Sequence, residues 1–478
     1  MPTPESDREL SRLLPRELVA ELLGLARANG AELAEVYGER TVHTGFSIEE
    51  DRLKLAQFSI HQGVGVRAIR GEQTGYAYAD GFDPVDLREA ARVAARISRD
   101  GPSGEPPRAF RVVDAPAPFT LTAPAPRVFD EARRIDLVRR ANDAARSHDR
   151  RVHDVTASIG DSAKSFVVAN SDGLWAEDEQ FLSRLSVSVV ALEGDQRQQA
   201  FAAAGGSVEA RYFEDHRTPE TVAREAATSA VTLLHAREPD AGSYPVVVGP
   251  GWGGVMVHEC FGHSMEGDGI RKHSSIRATQ EGQRVAAAGV TIVDSGAVPF
   301  SRGSFRIDDE GTPSQRTVLV EDGVLVGYLW DLLNARLTGR APTGNGRRAS
   351  YRDYPLCRMT NTYIEPGPHD PEALIASVPR GLYCKNLAGG SVNPADGNFS
   401  FQVTEAYRIE NGRLTDPVRN ATLAGNGNDA MLKIDAVAND LAIDGTMGSC
   451  GKEGQWKPVG VGQPTVRFTE ITVGGTRT

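Results

Sequence analysis

The stretch Val255-Met256-Val257-His258-Glu259-Cys260-Phe261-Gly262-His263 sets two histidines and a glutamate in an HExxxH arrangement after a small apolar run. Neutral imidazoles ligate metals, a neighbouring carboxylate can take a proton from an activated water, and zinc lowers the pKa of its water from about 16 towards about 7. His258, His263 and Glu259 therefore suggest both a metal site and a hydrolytic reaction. The familiar motif of this kind has its histidines at i and i+4, on one face of a regular helix. Here they stand at i and i+5, and at about 100° per residue the second imidazole would lie roughly 140° round the helix from the first. The chain must depart from α geometry, and Gly262 is the expected place for a wide turn or a π-type bulge. Gly251, Gly253 and Gly254 would let it turn sharply into the segment.

Two histidines do not complete a zinc site; a third protein ligand is needed, with the fourth position left for water. The four cysteines, Cys260, Cys357, Cys384 and Cys450, show neither CxxC spacing nor the density of a disulfide scaffold. Cys260, two residues from His258, should point to a different side of a helix. Cys357 and Cys384 sit in strand-like or loop-like settings without other ligand-type neighbours. Cys450 lies in Gly445-Thr446-Met447-Gly448-Ser449-Cys450-Gly451-Lys452, read as a glycine-lined loop where backbone approaches closely and a nearby cation favours the thiolate. Without further context, a small buried hydrophobe remains the plainer account of this cysteine.

The elements that must position these groups form two regions, 1–238 and 239–478. An amphipathic helix around Glu9 to Ala28 leads into short strand-like segments between Glu32 and Ala79, read as an antiparallel meander. A helix follows near Asp86 to Ile97, then a proline-rich stretch from Pro102 to Pro126 that breaks regular structure. A helix from Phe129 to Ser147, strand segments between Asp154 and Ala204, and a helix from Pro219 to His235 repeat the order of helix, meander and helix, without a residue-level repeat. Beyond Pro239 the chain becomes rich in glycine and short strands. Pro245-Val246-Val247-Val248-Gly249 reads as a buried strand feeding the HExxxH segment. Asp322-Gly323 and Asn411-Gly412 mark hairpin turns that accept positive φ. A short helix near Asp429 to Asn439 and a strand from Pro464 to Val473 close the chain. The expected fold class is α+β, with a helix-plus-meander N-terminal region and a C-terminal catalytic domain on an extensive, mostly antiparallel sheet.

The chain has 478 residues, 40% hydrophobic and 24% charged, with a formal net charge of −11, a composition that suits a globular enzyme and gives no support to nucleic-acid binding. Met1 to Arg8 lacks the basic segment and apolar core of a signal peptide, and no apolar run approaches the ~18 residues of a membrane span. With cysteines expected to be free, the expected location is the cytoplasm, with no membrane partner.

At this level of detail the chain resembles the TldD branch of the TldD/PmbA metallopeptidases. The resemblance rests on His258 to Asp268, Asp308-Asp309-Glu310-Gly311-Thr312, Gly344-Asn345-Gly346-Arg347-Arg348, Arg358-Met359-Thr360-Asn361-Thr362 and Gly448-Ser449-Cys450-Gly451-Lys452, together with Gly63-Val64-Gly65-Val66-Arg67. It implies zinc (Zn2+) held by His258, His263 and Cys450, with Glu259 as catalytic base. It also implies action on unfolded or short extended peptides, either maturing ribosomally made precursors or degrading unfolded polypeptides. A dimer is implied too, with a PmbA-like partner subunit or with a second copy.

Around that core, Glu266 and Asp268 either orient the histidines or are simply solvated. Arg347 and Arg348 read as surface groups before substrate ligands, and Asp308 and Asp309 as turn residues. Three other functions stay open: a noncatalytic structural subunit, against which the intact Glu259 argues; a zinc hydrolase of non-peptide amides; and a thiol peptidase using Cys450, whose activity should survive chelation.

Overall fold

Arg16–Arg27 (α1) buries Val19, Leu22, Leu23 and Ala26, the i, i+3, i+4, i+7 stripe of an amphipathic helix. In the computed structural model, which describes residues 10, 12–96, 106–115, 131–209 and 211–475, that stripe packs on a sheet of unusually long strands. Glu9, most of the proline-rich stretch and Phe129 lie outside the described residues.

The expected short meander segments merge into Leu33–Glu49 (β1), Arg52–Arg70 (β2) and Gln73–Asp80 (β3). The expected segment from Leu53 to Ile60 lies in the outer part of β2, where Arg52 to Ile60 is almost wholly exposed while its backbone stays paired to β1. Pro84–Ala95 (α2) follows, with Asp83 accepting the N–H of Val85 as its cap and proline at its first turn. After a two-residue strand, Arg111–Val112 (β4), comes a second unit of the same order: Glu131–Arg146 (α3), Val152–Asn170 (β5), Leu174–Glu193 (β6), Gln196–Gly206 (β7) and Pro219–Leu233 (α4).

The two units join in one sheet of order β3-β2-β1-β5-β6, with β7 and β4 also on β6, and the first strand of each unit pairs antiparallel with the first strand of the other. The repeated order of elements is thus built around the β1–β5 junction. Each helix pair covers mainly its own strands. Leu22, Leu23, Leu87 and Ala91 pack with Val64 and Val66, while Leu137, Ala141, Ala226 and Ala230 pack with Val155, Leu185 and Val187. A fully buried leucine such as Leu22 contributes about 2 kcal/mol by transfer from water.

The C-terminal half centres on Gly242–Val248 (β8), which runs parallel to Arg380–Val392 and antiparallel to Val466–Gly474. Val246 and Val248 face one core and Val247 another, so the strand is apolar on both faces, as its sequence requires. A second sheet brings together Ile292–Ser295, Arg316–Glu321, Asn361–Ile364 and Gly460–Gln463. Both expected hairpins form, with Asp322, Gly323, Asn411 and Gly412 all at positive φ. The expected helix from Asp429 to Asn439 is corrected: a helix occupies only Gly427–Leu432, and Ile434–Val437 is a strand paired with Val466–Gly474. The fold is α+β, with mostly antiparallel sheets.

Candidate metal centre

Beyond β8 the chain passes through a 3-10 turn, Gly251–Gly254, one α turn at Val255–Val257, and a π-helical turn at His258–Gly262. The backbone N–H of His263 donates to the carbonyl of His258, the i+5 to i bond of a π turn. That bond answers the spacing problem. The wider turn brings residue i+5 back over residue i, and the two imidazole rings lie 5.4 Å apart. Gly262 is needed here for space more than for backbone freedom. Its φ is −52°, open to any residue, but a Cβ there would lie 1.7 Å from Met359 Sδ.

Cys450 arrives from the other end of the chain, and in a strand, which corrects the expected loop. Ser449–Lys452 pairs with Gln455–Pro458 across a two-residue turn at Glu453-Gly454, both at positive φ. Strand alternation turns Cys450 inward while Ser449 and Gly451 are exposed. Arg358 ties the hairpin down, donating from Nη2 to the Cys450 carbonyl at 2.7 Å and from Nη1 to the Gln455 carbonyl at 3.1 Å.

One potential ligand atom from each of His258, His263 and Cys450 falls in a group spanning no more than 4.8 Å. Cys450 Sγ is 3.2 Å from His263 Nε2. Burial opposes the thiolate of Cys450, but the charge of His258 and hydrogen bonds with both histidines bring its pKa down to about 4. His258 Nδ1 is buried without a hydrogen-bond partner among the described residues. Two imidazoles, a thiolate and an orphaned ring nitrogen make a donor set that suits a metal ion. The other three cysteines take no part. Cys260 packs in the core, Cys357 Sγ accepts from the Gly267 N–H and donates to the Leu329 carbonyl, and Cys384 is fully buried.

Glu259 lies beside this group, one carboxylate oxygen 3.9 Å from His263 Nε2. Burial raises its pKa above the ordinary glutamate value, with His258 and His263 pulling the other way. Glu266, buried at 3% exposure, meets His263 Nδ1 at 3.3 Å and accepts from Lys452 Nζ at 3.0 Å. Burial alone would raise its pKa; Lys452 and His263 instead hold it at about 2. Burial lowers the pKa of His263, yet Glu266 and Cys450 together leave it well above the ordinary histidine value.

Four expectations change here. Asp268 touches no histidine; it accepts from Lys452 Nζ at 2.7 Å. Lys452 serves Glu266 and Asp268, and the charge lowering the Cys450 pKa comes from the histidines. Arg347 and Arg348 are buried: Arg347 donates to the carbonyls of Met359 and Pro458, and Arg348 pairs with Glu35. Asp308 does act in a turn, accepting the N–H groups of Glu310 and Thr312. Asp309 does more, pairing with Lys164 at 2.7 Å and Lys457 at 3.1 Å. No spacing rule would have found Lys452 or Arg358, although both lie in motifs that carry the resemblance.

The centre lines a cavity of about 710 Å3 whose wall also includes Trp252, Trp456 and the exposed strand end Gly389 to Val392. No helix among the described residues is long and apolar enough to cross a membrane.

Comparison with known proteins bears on this arrangement. Residues 34–98, 124–234 and 241–475 match, in turn, PmbA/TldA metallopeptidase domain 1, central domain and C-terminal domain. The chain is 40% identical to the "Metalloprotease TldD homolog" of Haemophilus influenzae over 97% of each chain. It is 25% identical to the "Zinc metalloprotease TldD homolog" of Saccharolobus solfataricus, over 93% of this chain and 97% of that one. The crystal structure of TldE from Thermococcus kodakarensis superimposes with a TM-score of 0.76 at 20% identity, covering 96% of this chain and all of that one, a likeness of fold. The chain belongs to the TldD/PmbA family of metallopeptidases.

Proposed function

We propose that this chain is a zinc-dependent peptidase acting on unfolded or short extended peptides. The observation that carries the reading is the convergence of His258, His263 and Cys450 on one point, beside Glu259 and at the wall of a large cavity. In this reading those three residues hold the metal and Glu259 is the base. Zinc bound there would act as a Lewis acid towards water and the scissile carbonyl. Glu259 takes the proton of the attacking water and returns it to the departing amine. Glu266 fixes the ring of His263 through Nδ1, which leaves Nε2 on the side of Cys450. The exposed strand end at Gly389 to Val392 offers main-chain groups to an extended peptide, which supports binding with little demand on side chains.

Maturation of ribosomally made precursors and degradation of unfolded polypeptides both fit this chemistry. The reading includes a dimer, with a PmbA-like or TldE-like partner or with a second copy, and a cytoplasmic location in keeping with four free cysteines. The close approach of Cys450 Sγ to His263 Nε2 favours one competitor, a thiol peptidase.

The test is zinc content and cleavage of an unfolded peptide by the purified chain, alone and with a PmbA-like partner, before and after chelation. Stoichiometric zinc with cleavage abolished by chelation and restored by zinc is the expected result. Cleavage that survives complete metal removal would establish the thiol reading instead, and zinc binding without cleavage in either assembly would leave a structural subunit.

A further inference from the structure

A separate cavity of about 350 Å3 lies between the N-terminal sheet and the C-terminal half, and shares no lining residue with the one at the metal centre. Two arginines reach it, Arg184 from β6 and Arg302 from the turn before Ser304. Arg302 Nη1 donates to the Thr446 carbonyl at 2.8 Å, while its Nε is buried without an acceptor among the described residues. Arg184 Nε is likewise buried without an acceptor, and its guanidinium lies 5.5 Å from the centre of the Phe201 ring. Neither arginine has a carboxylate at ion-pair distance among the described residues.

The nearby acids are already engaged. Asp161, which lines the cavity, accepts from Arg134 at 2.8 Å and Ser183 at 2.6 Å. Asp444 takes the N–H groups of Thr446 and Met447, and its charge acts on both arginines only from beyond ion-pair distance. Burial lowers the pKa of Arg302 to about 10, and the like charge of Arg184 adds to the shift. Two desolvated cations facing one cavity carry an electrostatic penalty that a protein ordinarily offsets with a carboxylate.

We propose that Arg184 and Arg302 form a binding site for a small oxyanion, a phosphate or a carboxylate group. A guanidinium fork matches the geometry of either. The site would bear on the metal centre through the chain. Thr446, held by Arg302 and bonded through its hydroxyl to the Gly205 carbonyl at 3.2 Å, stands four residues before Cys450.

The test measures thermal unfolding and calorimetric titration of the full chain with inorganic phosphate and, separately, acetate, at an ionic strength held constant with chloride. The expected result is a saturable heat and a rise in Tm that follows anion concentration. Arg184→Gln and Arg302→Gln should each weaken the apparent affinity by about tenfold or more. Arg316→Gln, which alters a surface arginine paired with Glu365, should leave it unchanged. The Arg184 side chain makes no hydrogen bond among the described residues and is repelled by Arg302, so Arg184→Gln gives up only its contact with the Phe201 ring and is expected to fold. Loss of binding in that variant then reports the site and not unfolding. Acetate competing with phosphate supports a carboxylate as the natural group, and phosphate binding alone supports a phosphate. Saturable binding of neither anion by the wild type, or affinity unchanged in Arg184→Gln, overturns the proposal.

Discussion

Cys450 and Lys457 are cross-strand partners in one hairpin, yet they stand in two buried charged clusters of different design. On the Cys450 side, His258, His263, Glu259 and the thiol crowd together, Glu259 has its pKa raised, His258 Nδ1 has no partner among the described residues, and a cavity opens alongside. On the Lys457 side, most charges meet an opposite charge, although burial still pushes Glu310 up and Lys457 down to about 7. Asp309 pairs with Lys164 and Lys457, Glu310 with Arg67 at 2.7 Å, and Glu35 with Arg348, whose guanidinium also lies 4.1 Å from the centre of the Tyr37 ring. These pairs join β1, β2 and β5 to the C-terminal half, although some guanidinium N–H groups find no acceptor among the described residues. Burial alone therefore does not mark a reactive site. The mark is incomplete pairing beside accessible space, whereas charges that mostly meet their opposites hold structure together.

The largest effect expected from this contrast is on rate. Glu259→Gln should lower kcat/KM for peptide cleavage by about 10³-fold, within the range for loss of a general base, while zinc content and Tm stay as in the wild type. A parallel loss of stability would mean that Glu259 belongs with the structural cluster, and the contrast would fail. The reverse is expected of Arg348→Met, which strands Glu35 in the interior. Urea unfolding should show a loss of about 3–5 kcal/mol, and adding Glu35→Leu should recover part of it, since removing both partners costs less than removing one.

A pH experiment sharpens the picture at a third buried acid. Burial pushes the Asp178 carboxyl up to about 6 in spite of its ion pair with Arg306. A folded pKa above the unfolded one means that the native state holds the proton more tightly. The stabilisation is complete below about pH 4 and is lost as pH rises through 6, by up to about 3 kcal/mol. Unfolding free energies between pH 4 and 7 should fall along this slope in the wild type and stay flatter in Asp178→Asn. The smallest effect concerns Lys452, which bridges Glu266, Asp268 and the Cys357 carbonyl. Lys452→Met should weaken zinc binding by about 10–100-fold, read by competition with a chromogenic chelator, because Glu266 loses the cation that holds it against His263. Unchanged zinc affinity would assign Lys452 to the structural side of the comparison.

Much of this molecule is written locally. The HExxxH spacing demands a wide turn, and the backbone supplies a π turn ending at Gly262. Asp-Gly and Asn-Gly pairs specify their hairpins, and an unbroken valine run specifies a strand buried on both faces. The full length of the N-terminal strands was harder to read, because the chain between the expected segments, such as Gly38 to Gly45 of β1, is mostly polar and glycine although Glu39 and Thr41 are buried. Arg348 and Asp309 look like surface and turn residues in the sequence because their partners are remote: Arg348 meets Glu35 across 313 positions, and Asp309 meets Lys164 across 145.

By itself the sequence determined the α+β class, the turn chemistry, the need for a π-type departure and the family resemblance, since each depends on residues a few positions apart or on motifs in fixed order. Only the tertiary structure decided that Cys450 meets the two histidines from a strand, that Lys452 and Arg358 brace that strand, and that Arg348 is buried. Those outcomes follow from which sheets pack together, and the partners involved lie tens to hundreds of residues apart in the chain.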